Sequence, residues 1–161
     1  MASMTATEFI IEPGVQEVVM TRVFDAPREL VFKVVNDPEL RPQWWGPSRL
    51  DTTVENMDVR HGGAWRIVQK DTDGSVHAFR GVYHTVDAPS YTVNTFEYEG
   101  VPGHVALETA TFEDVEGGKT RLTIKSVFQS LEDRDGMVAS GMESGASEGW
   151  DRLAALIEKA R

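Results

Sequence analysis

The stretch LEDRDGMVASGMESGASEGWDRLAALIEKAR, residues 131–161, decides how the rest of the chain must fold. At helical spacing Val138, Met142, Gly145, Ala146, Gly149, Leu153, Leu156 and Ile157 fall on one stripe, and Glu143, Glu148, Asp151, Arg152, Glu158 and Lys159 lie mostly off it. Ser130 followed by Asp133 reads as a capping-box start, so the pattern predicts one amphipathic helix of about 28 residues, roughly 40 Å long. Its second half carries Trp150, Leu153, Leu156 and Ile157, whereas its first offers glycine, alanine and two methionines. Interior glycines at 141, 145 and 149 would together cost about 3 kcal/mol of helix stability, which calls for a reason. Two readings compete: a strand or helix packs closely on the glycine face, or the missing side chains leave a cavity floored by Met137 and Met142.

Outward from this helix, the middle of the chain changes to a period of two. Leu50 to Met57, Ala64 to Lys70, Val76 to Val86, Tyr91 to Tyr98, Val105 to Glu113 and Thr120 to Gln129 read as six strands, broken by turn signals such as Asp73-Gly74, Ala88-Pro89 and Gly117-Gly118. Turns this short imply antiparallel neighbours. Before them, Glu17 to Phe24 reads as a first strand, and Asp25-Ala26-Pro27 and Asp37-Pro38 each start a short helix, the second ending near Trp44 before Gly46-Pro47. The order is α+β: a curved six- or seven-stranded antiparallel sheet around a long C-terminal helix, with two short helices after the first strand. Residues 1–14 read as a loosely ordered tail closed by Pro13-Gly14, in which Phe9 to Ile11 can add an edge strand, and residues 15–161 as a single domain.

Composition excludes several classes of function. Forty per cent hydrophobic and 26% charged residues suit a globular chain, and no apolar run approaches a membrane span. Met1 to Thr7 has neither a basic patch nor an apolar core, so no signal peptide is expected. With no cysteine there is no disulfide, thiolate nucleophile or cysteine-bound zinc, which fits a cytoplasmic protein. A net charge of −10 without a basic run argues against nucleic acid, and no glycine loop has the spacing of a nucleotide cradle.

Few residues suggest chemistry. The four histidines, His61, His77, His84 and His104, lack the spacing of a metal site, so neither metal nor cofactor is expected. Ser140 and Ser144 fall mid-helix rather than at a nucleophile elbow. Arg66, Arg80, Glu97, Glu108 and Lys125 lie inside strands; most should face water, but one or two pointing inward would have shifted pKa values and suit acid or base work. Alternation cannot decide the faces, because Val76, Ala78, Arg80 and Val82 interleave with His77, Phe79, Gly81 and Tyr83 almost equally well. Trp44-Trp45 before Gly46-Pro47 is unusual: adjacent residues at a helix end face different ways, so one ring should enter the core and the other lie at a rim. The residues expected to line a ligand site are Trp44, Trp45, Trp65, Tyr83, Phe96, Met137, Gly141, Met142 and Gly145.

Trp44-Trp45-Gly46-Pro47, the run from Val59 to Arg66, Asp73-Gly74, Gly81-Val82-Tyr83, Asp87-Ala88-Pro89, Phe112-Glu113-Asp114 with the run from Gly117 to Thr123, and Gly149-Trp150 with Leu153 and Leu156 together resemble a known family. It comprises bacterial proteins similar to the C-terminal domain of the activator of the ninety-kilodalton heat-shock protein's ATPase, within the START-like, polyketide-cyclase and birch-pollen-allergen superfamily. The resemblance implies a helix-grip fold, a curved sheet holding the last helix around an apolar cavity. Relatives bind lipids, hormones or polyketides and a few catalyse, so fold alone does not give the activity. No catalytic residue of the cyclase relatives has a counterpart here. The resemblance and the residues together imply a cytoplasmic carrier or sensor of a small apolar or aromatic molecule, monomeric or homodimeric, with no nucleic acid or membrane partner. A cyclase or hydrolase using the same cavity, and a co-chaperone-like interaction module, are the alternatives.

Overall fold

The computed structural model describes residues 6–161. Its elements run β1 (Glu8–Ile10), β2 (Glu17–Phe24), α1 (Arg28–Val35), a 3-10 turn (Arg41–Gln43), β3 (Asp51–Met57), β4 (Ala64–Lys70), β5 (Val76–Asp87), β6 (Tyr91–Tyr98), β7 (Val105–Val115), β8 (Lys119–Val127), α2 (Leu131–Ala139) and α3 (Met142–Ala160). All strands form one antiparallel sheet in the order β1-β2-β8-β7-β6-β5-β4-β3. This is the curved, open sheet with a long C-terminal helix of the helix-grip class. The sheet reaches eight strands because Phe9 pairs with Met20 and so draws the tail in as a short edge; the first five residues of the predicted tail lie outside the described residues.

Register sets the two faces. Val18, Phe24, Trp65, Ile67, Tyr83, Ala106, Ala110, Phe112, Leu122 and Phe128 point inward and are buried. The ambiguous fifth strand puts Phe79, Gly81 and Tyr83 on the inner side and leaves Val76 and Val82 exposed on the outer one. Its pairing with β6 is interrupted at Gly81-Val82. There the Trp65 indole N–H donates to the Thr95 carbonyl at 3.2 Å and the Val82 amide to the Thr95 hydroxyl at 2.9 Å, which replaces missing ladder bonds.

The single helix expected over residues 131–161 is two helices. Ser130 caps the first as its sequence suggests, accepting from the Asp133 amide at 3.0 Å, but Gly141 adopts a left-handed backbone, φ +83°, and starts α3 afresh. Spacing alone cannot tell a glycine inside a helix from one that ends it. The 19 residues of α3 still form the long terminal helix, and no helix among the described residues is long and apolar enough to cross a membrane.

The other two glycines serve close packing. A Cβ on Gly149 would stand 2.6 Å from the Trp44 carbonyl oxygen, and one on Gly145 would stand 3.3 Å from the Pro47 ring. Around them Arg152 donates to the carbonyls of Gln43, at 2.9 Å, and Gly46, and Glu148 accepts from the Ser48 amide at 2.7 Å. From the opposite side the buried Gln69 donates to the Trp45 carbonyl at 3.2 Å. The Trp44–Ser48 loop is thus bolted between α3 and β4, and of the two readings of the glycine stripe close packing holds at Gly145 and Gly149.

The main core lies at the far end of α3, where Trp150, Leu153 and Ile157 meet Phe24, Phe112 and Leu122 of the sheet and Val31 and Phe32 of α1. Trp150 stands edge-on to Phe24, ring centres 5.6 Å apart.

Candidate functional site

Packing is looser at the other end. Ala106 and Ala110 flank Glu108 along the inner face of β7 and are buried, yet Glu108 itself, its cross-strand neighbours Asn94 and Ser126, and Met20 and Ile124 keep part of their surface accessible. These partly accessible residues sit side by side among buried Val18, Arg22, Leu122, Ala106 and Ala110, which marks a shallow recess at the end of the sheet where Met137 and Met142 pack.

The recess has a polar floor built by register. Tyr83 of β5 stands opposite Asn94 of β6, Asn94 opposite Glu108 of β7, and Glu108 opposite Ser126 of β8, so four consecutive strands each give one polar side chain at one level. The Asn94 amide donates to one Glu108 carboxyl oxygen at 3.3 Å and the Ser126 hydroxyl to the other at 3.1 Å. From the helical side comes Arg41, whose guanidinium donates twice to the Val35 carbonyl, at 3.2 and 2.8 Å, and lies over the Trp44 ring at 5.0 Å.

Burial pushes the Glu108 carboxyl above its ordinary value, opposed by the Ser126 and Asn94 hydrogen bonds and by the charge of Arg41. Burial likewise raises Tyr83, with Arg41 pulling the other way, and lowers Arg41, against Tyr83 and Glu108. Arginine stays charged across accessible pH, so the recess holds one fixed cation, one acid that resists ionisation, and neutral donors and acceptors. Such a set can orient a polar group on a small molecule or exchange a proton with it.

Of the five strand residues singled out for acid or base work, only Glu108 points inward. Arg66 is paired with Glu55 and Glu99, Arg80 with Glu97 and Lys125 with Glu17, all on the outer face. Two surface grooves of about 620 and 580 Å³ offer no comparable set. The first runs between α1 and the β5–β6 turn over Phe32, Val59 and Val86, and the second lies on the outer face, where the charges are already paired. No cluster of histidine, aspartate and glutamate suited to a metal ion occurs among the described residues.

The residues expected at the site divide into three groups. Trp45, Trp65, Tyr83 and Phe96 come together in one aromatic cluster beside the polar row; Trp45 meets Trp65 and Phe79 edge-on at 6.5 and 5.1 Å, and Phe96 also joins the cluster of Val18, Ala106 and Phe128. Met137 and Met142 pack on that last cluster and roof the same end. Trp44, Gly141 and Gly145 are not among them: Trp44 is core beside Phe24 and Trp150, Gly141 is an exposed turn, and Gly145 abuts Pro47. Sequence reasoning missed Arg41, Asn94 and Ser126. Pairing register alone would have found the last two, and nothing in the sequence marks Arg41.

A family model described as activator of Hsp90 ATPase homolog 1-like protein matches residues 25–158. No curated protein matches. Among solved structures, a Mycobacterium smegmatis protein is 25% identical, with 94% of this chain and 96% of that one covered and a TM-score of 0.81. An Arthrobacter aurescens protein is also 25% identical, over 96% and 93% of the two chains, with a TM-score of 0.86. A Rhodobacter sphaeroides protein at 23% identity, covering 96% and 99% with a TM-score of 0.86, shares the fold.

Proposed function

The chain belongs to the activator of Hsp90 ATPase homolog 1-like family, matched over residues 25–158, and from that premise we propose that it binds a small, mainly apolar or aromatic molecule in the recess between the sheet and the start of α3. The observation that carries this reading is the partly accessible patch around Glu108 on the inner face, with the aromatic cluster of Trp65, Tyr83 and Phe96 to one side and Met142 packing at the same end of the sheet. Apolar walls supply most of the affinity for such a ligand and a few placed polar groups fix its orientation. The protein acts as a carrier or sensor, a single domain over residues 15–161, in the cytoplasm, as a monomer or homodimer.

Titration with N-phenylnaphthylamine, a neutral probe that fluoresces in apolar surroundings, tests the reading. The wild-type protein should bind it saturably. Ser126→Phe, which places a ring in the recess, should melt cooperatively and bind at least about tenfold more weakly. Absence of saturable binding by the wild type would overturn the proposal.

An enzymatic reading has one specific observation in its favour: Glu108, held by Asn94 and Ser126 one strand away from Tyr83, is an acid pushed up by burial against the charge of Arg41, the kind of group used for proton transfer. The two readings part on turnover, because a carrier releases its ligand unchanged.

A further inference from the structure

The cover of the recess is held far less firmly than the sheet beneath it. Between Phe128, buried with Val18 and Ala106, and Gly149, which packs on the Trp44 carbonyl, the one buried residue is Arg134. Hydrogen bonds hold that side chain in place. Its Nη1 donates to the carbonyls of Glu12 at 2.9 Å and Glu17 at 3.3 Å, and its Nε to the Asp135 carboxylate at 2.9 Å. The other ties of α2 lie at its two ends. At the first turn the His104 ring is 2.8 Å from the Asp133 carboxylate, and the Val105 amide donates to the Gln129 side-chain oxygen at 2.8 Å. At the last turn Met137 and Val138 lean, half-buried, on the Phe128 cluster. From Gly145 onward the grip tightens, because the Pro47 ring and the Ser48 amide fix α3 to the bolted loop. Gly141, at the junction, is exposed and left-handed, with nothing within 4 Å of where a Cβ would stand, so the backbone has room to rotate there.

A segment with so few buried apolar groups opens at a lower free energy than the fold as a whole. We propose that α2 is the lid of the recess, swinging about Gln129–Ser130 and Gly141 while the sheet and α3 stay in place, and that Arg134 is the catch that holds it shut. This role rests on the binding reading above and gives the ligand its way in and out. Arginine suits a catch because its fork reaches two main-chain carbonyls at once and stays charged at any accessible pH. Those carbonyls belong to the β1–β2 turn and to the first residue of β2, so the lid is fastened to the sheet edge rather than to α3.

Hydrogen exchange of the full chain, read by mass spectrometry, and stopped-flow release of N-phenylnaphthylamine test the lid together. In the wild type, amides of residues 131–140 should exchange at least about tenfold faster than those of 150–157. Arg134→Met should speed both exchange over 131–140 and release of the probe by at least about tenfold, with 150–157 exchanging as before. The opposite change is open because the chain has no cysteine. His104→Cys with Asp133→Cys, joined by a short bis-maleimide, should slow release at least about tenfold against the same variant before joining. Should Arg134→Met fail to fold, the joined variant decides alone. Exchange of the two segments at one rate, faster exchange in Arg134→Met with unchanged release, or release indifferent to the link would each overturn the lid while leaving the binding reading intact. A wild type that does not bind the probe removes the binding reading and the gating role with it, whatever the exchange shows.

Discussion

The two ends of α3 meet the same sheet in opposite ways. At its C-terminal end Trp150, Leu153 and Ile157 interlock with Phe24, Phe112 and Leu122, leaving at most 2% of any of these six side chains exposed. At its N-terminal end Met142 is half-buried over a floor that contains a carboxyl, an amide and a hydroxyl. Polar groups of that kind cost stability unless they are hydrogen-bonded, and an accessible recess forfeits packing. The contrast teaches that the fold concentrates its cohesion at one end, with the bolted Trp44–Ser48 loop between, and so tolerates a chemically useful gap at the other.

The largest test of that division is Trp150→Ala. Removing the ring from the packed end should cost about 3 to 5 kcal/mol in urea denaturation, with little change in probe binding per folded molecule. A loss below about 1 kcal/mol would mean that cohesion is spread evenly and that the two ends do not differ. Gly149→Ala probes the junction between them. Its new Cβ would press on the Trp44 carbonyl, so overpacking of about 1 to 3 kcal/mol should persist after the roughly 1 kcal/mol of helix propensity gained from alanine. A stabilised variant would show that the loop is not tightly held.

The smallest effect belongs to the open end and is visible only as a pH dependence. Because Glu108 is raised above its ordinary 4.5, the folded state holds its proton more tightly than the unfolded chain does. The stability linked to that group is fully present below about pH 4.5 and is lost as pH rises through the folded value. Glu108→Gln cannot ionise, so the stability difference between variant and wild type should move in favour of the variant across that window. Outer-face Glu99 runs the other way: Arg66 holds it below its ordinary value, so its contribution is present at neutral pH and lost on acidification. Denaturation midpoints of wild type and variant at several pH values read the first slope; a flat difference would place Glu108 in ordinary solvent.

How much of this was legible in the sequence depends on what each feature needs. Strands Ala64–Lys70 and Tyr91–Tyr98 coincide with their sequence signals, because alternation and glycine or proline turns are local properties. The break at Gly141 was not legible, since four-residue glycine spacing fits a helix stripe and hides a left-handed turn. Nor were the faces of β5, because valines at 76 and 82 on the outer side imitate core residues. Glu108 could be singled out as one of five candidates, but its partners could not. Asn94 and Ser126 lie 14 and 18 residues from it along the chain, and only their shared level in the sheet makes them a set.

That shared level has a consequence for the order in which the molecule assembles. The row draws on positions 83, 94, 108 and 126, and so requires three successive hairpins to close with correct pairing. A slip of one residue in any of them would turn that strand's contribution to the opposite side of the sheet. The row therefore comes into existence only after all three hairpins have closed in register, later than any one of them. Recovery of probe binding during refolding would then lag behind recovery of secondary structure, and the probe would serve as a reporter of strand register.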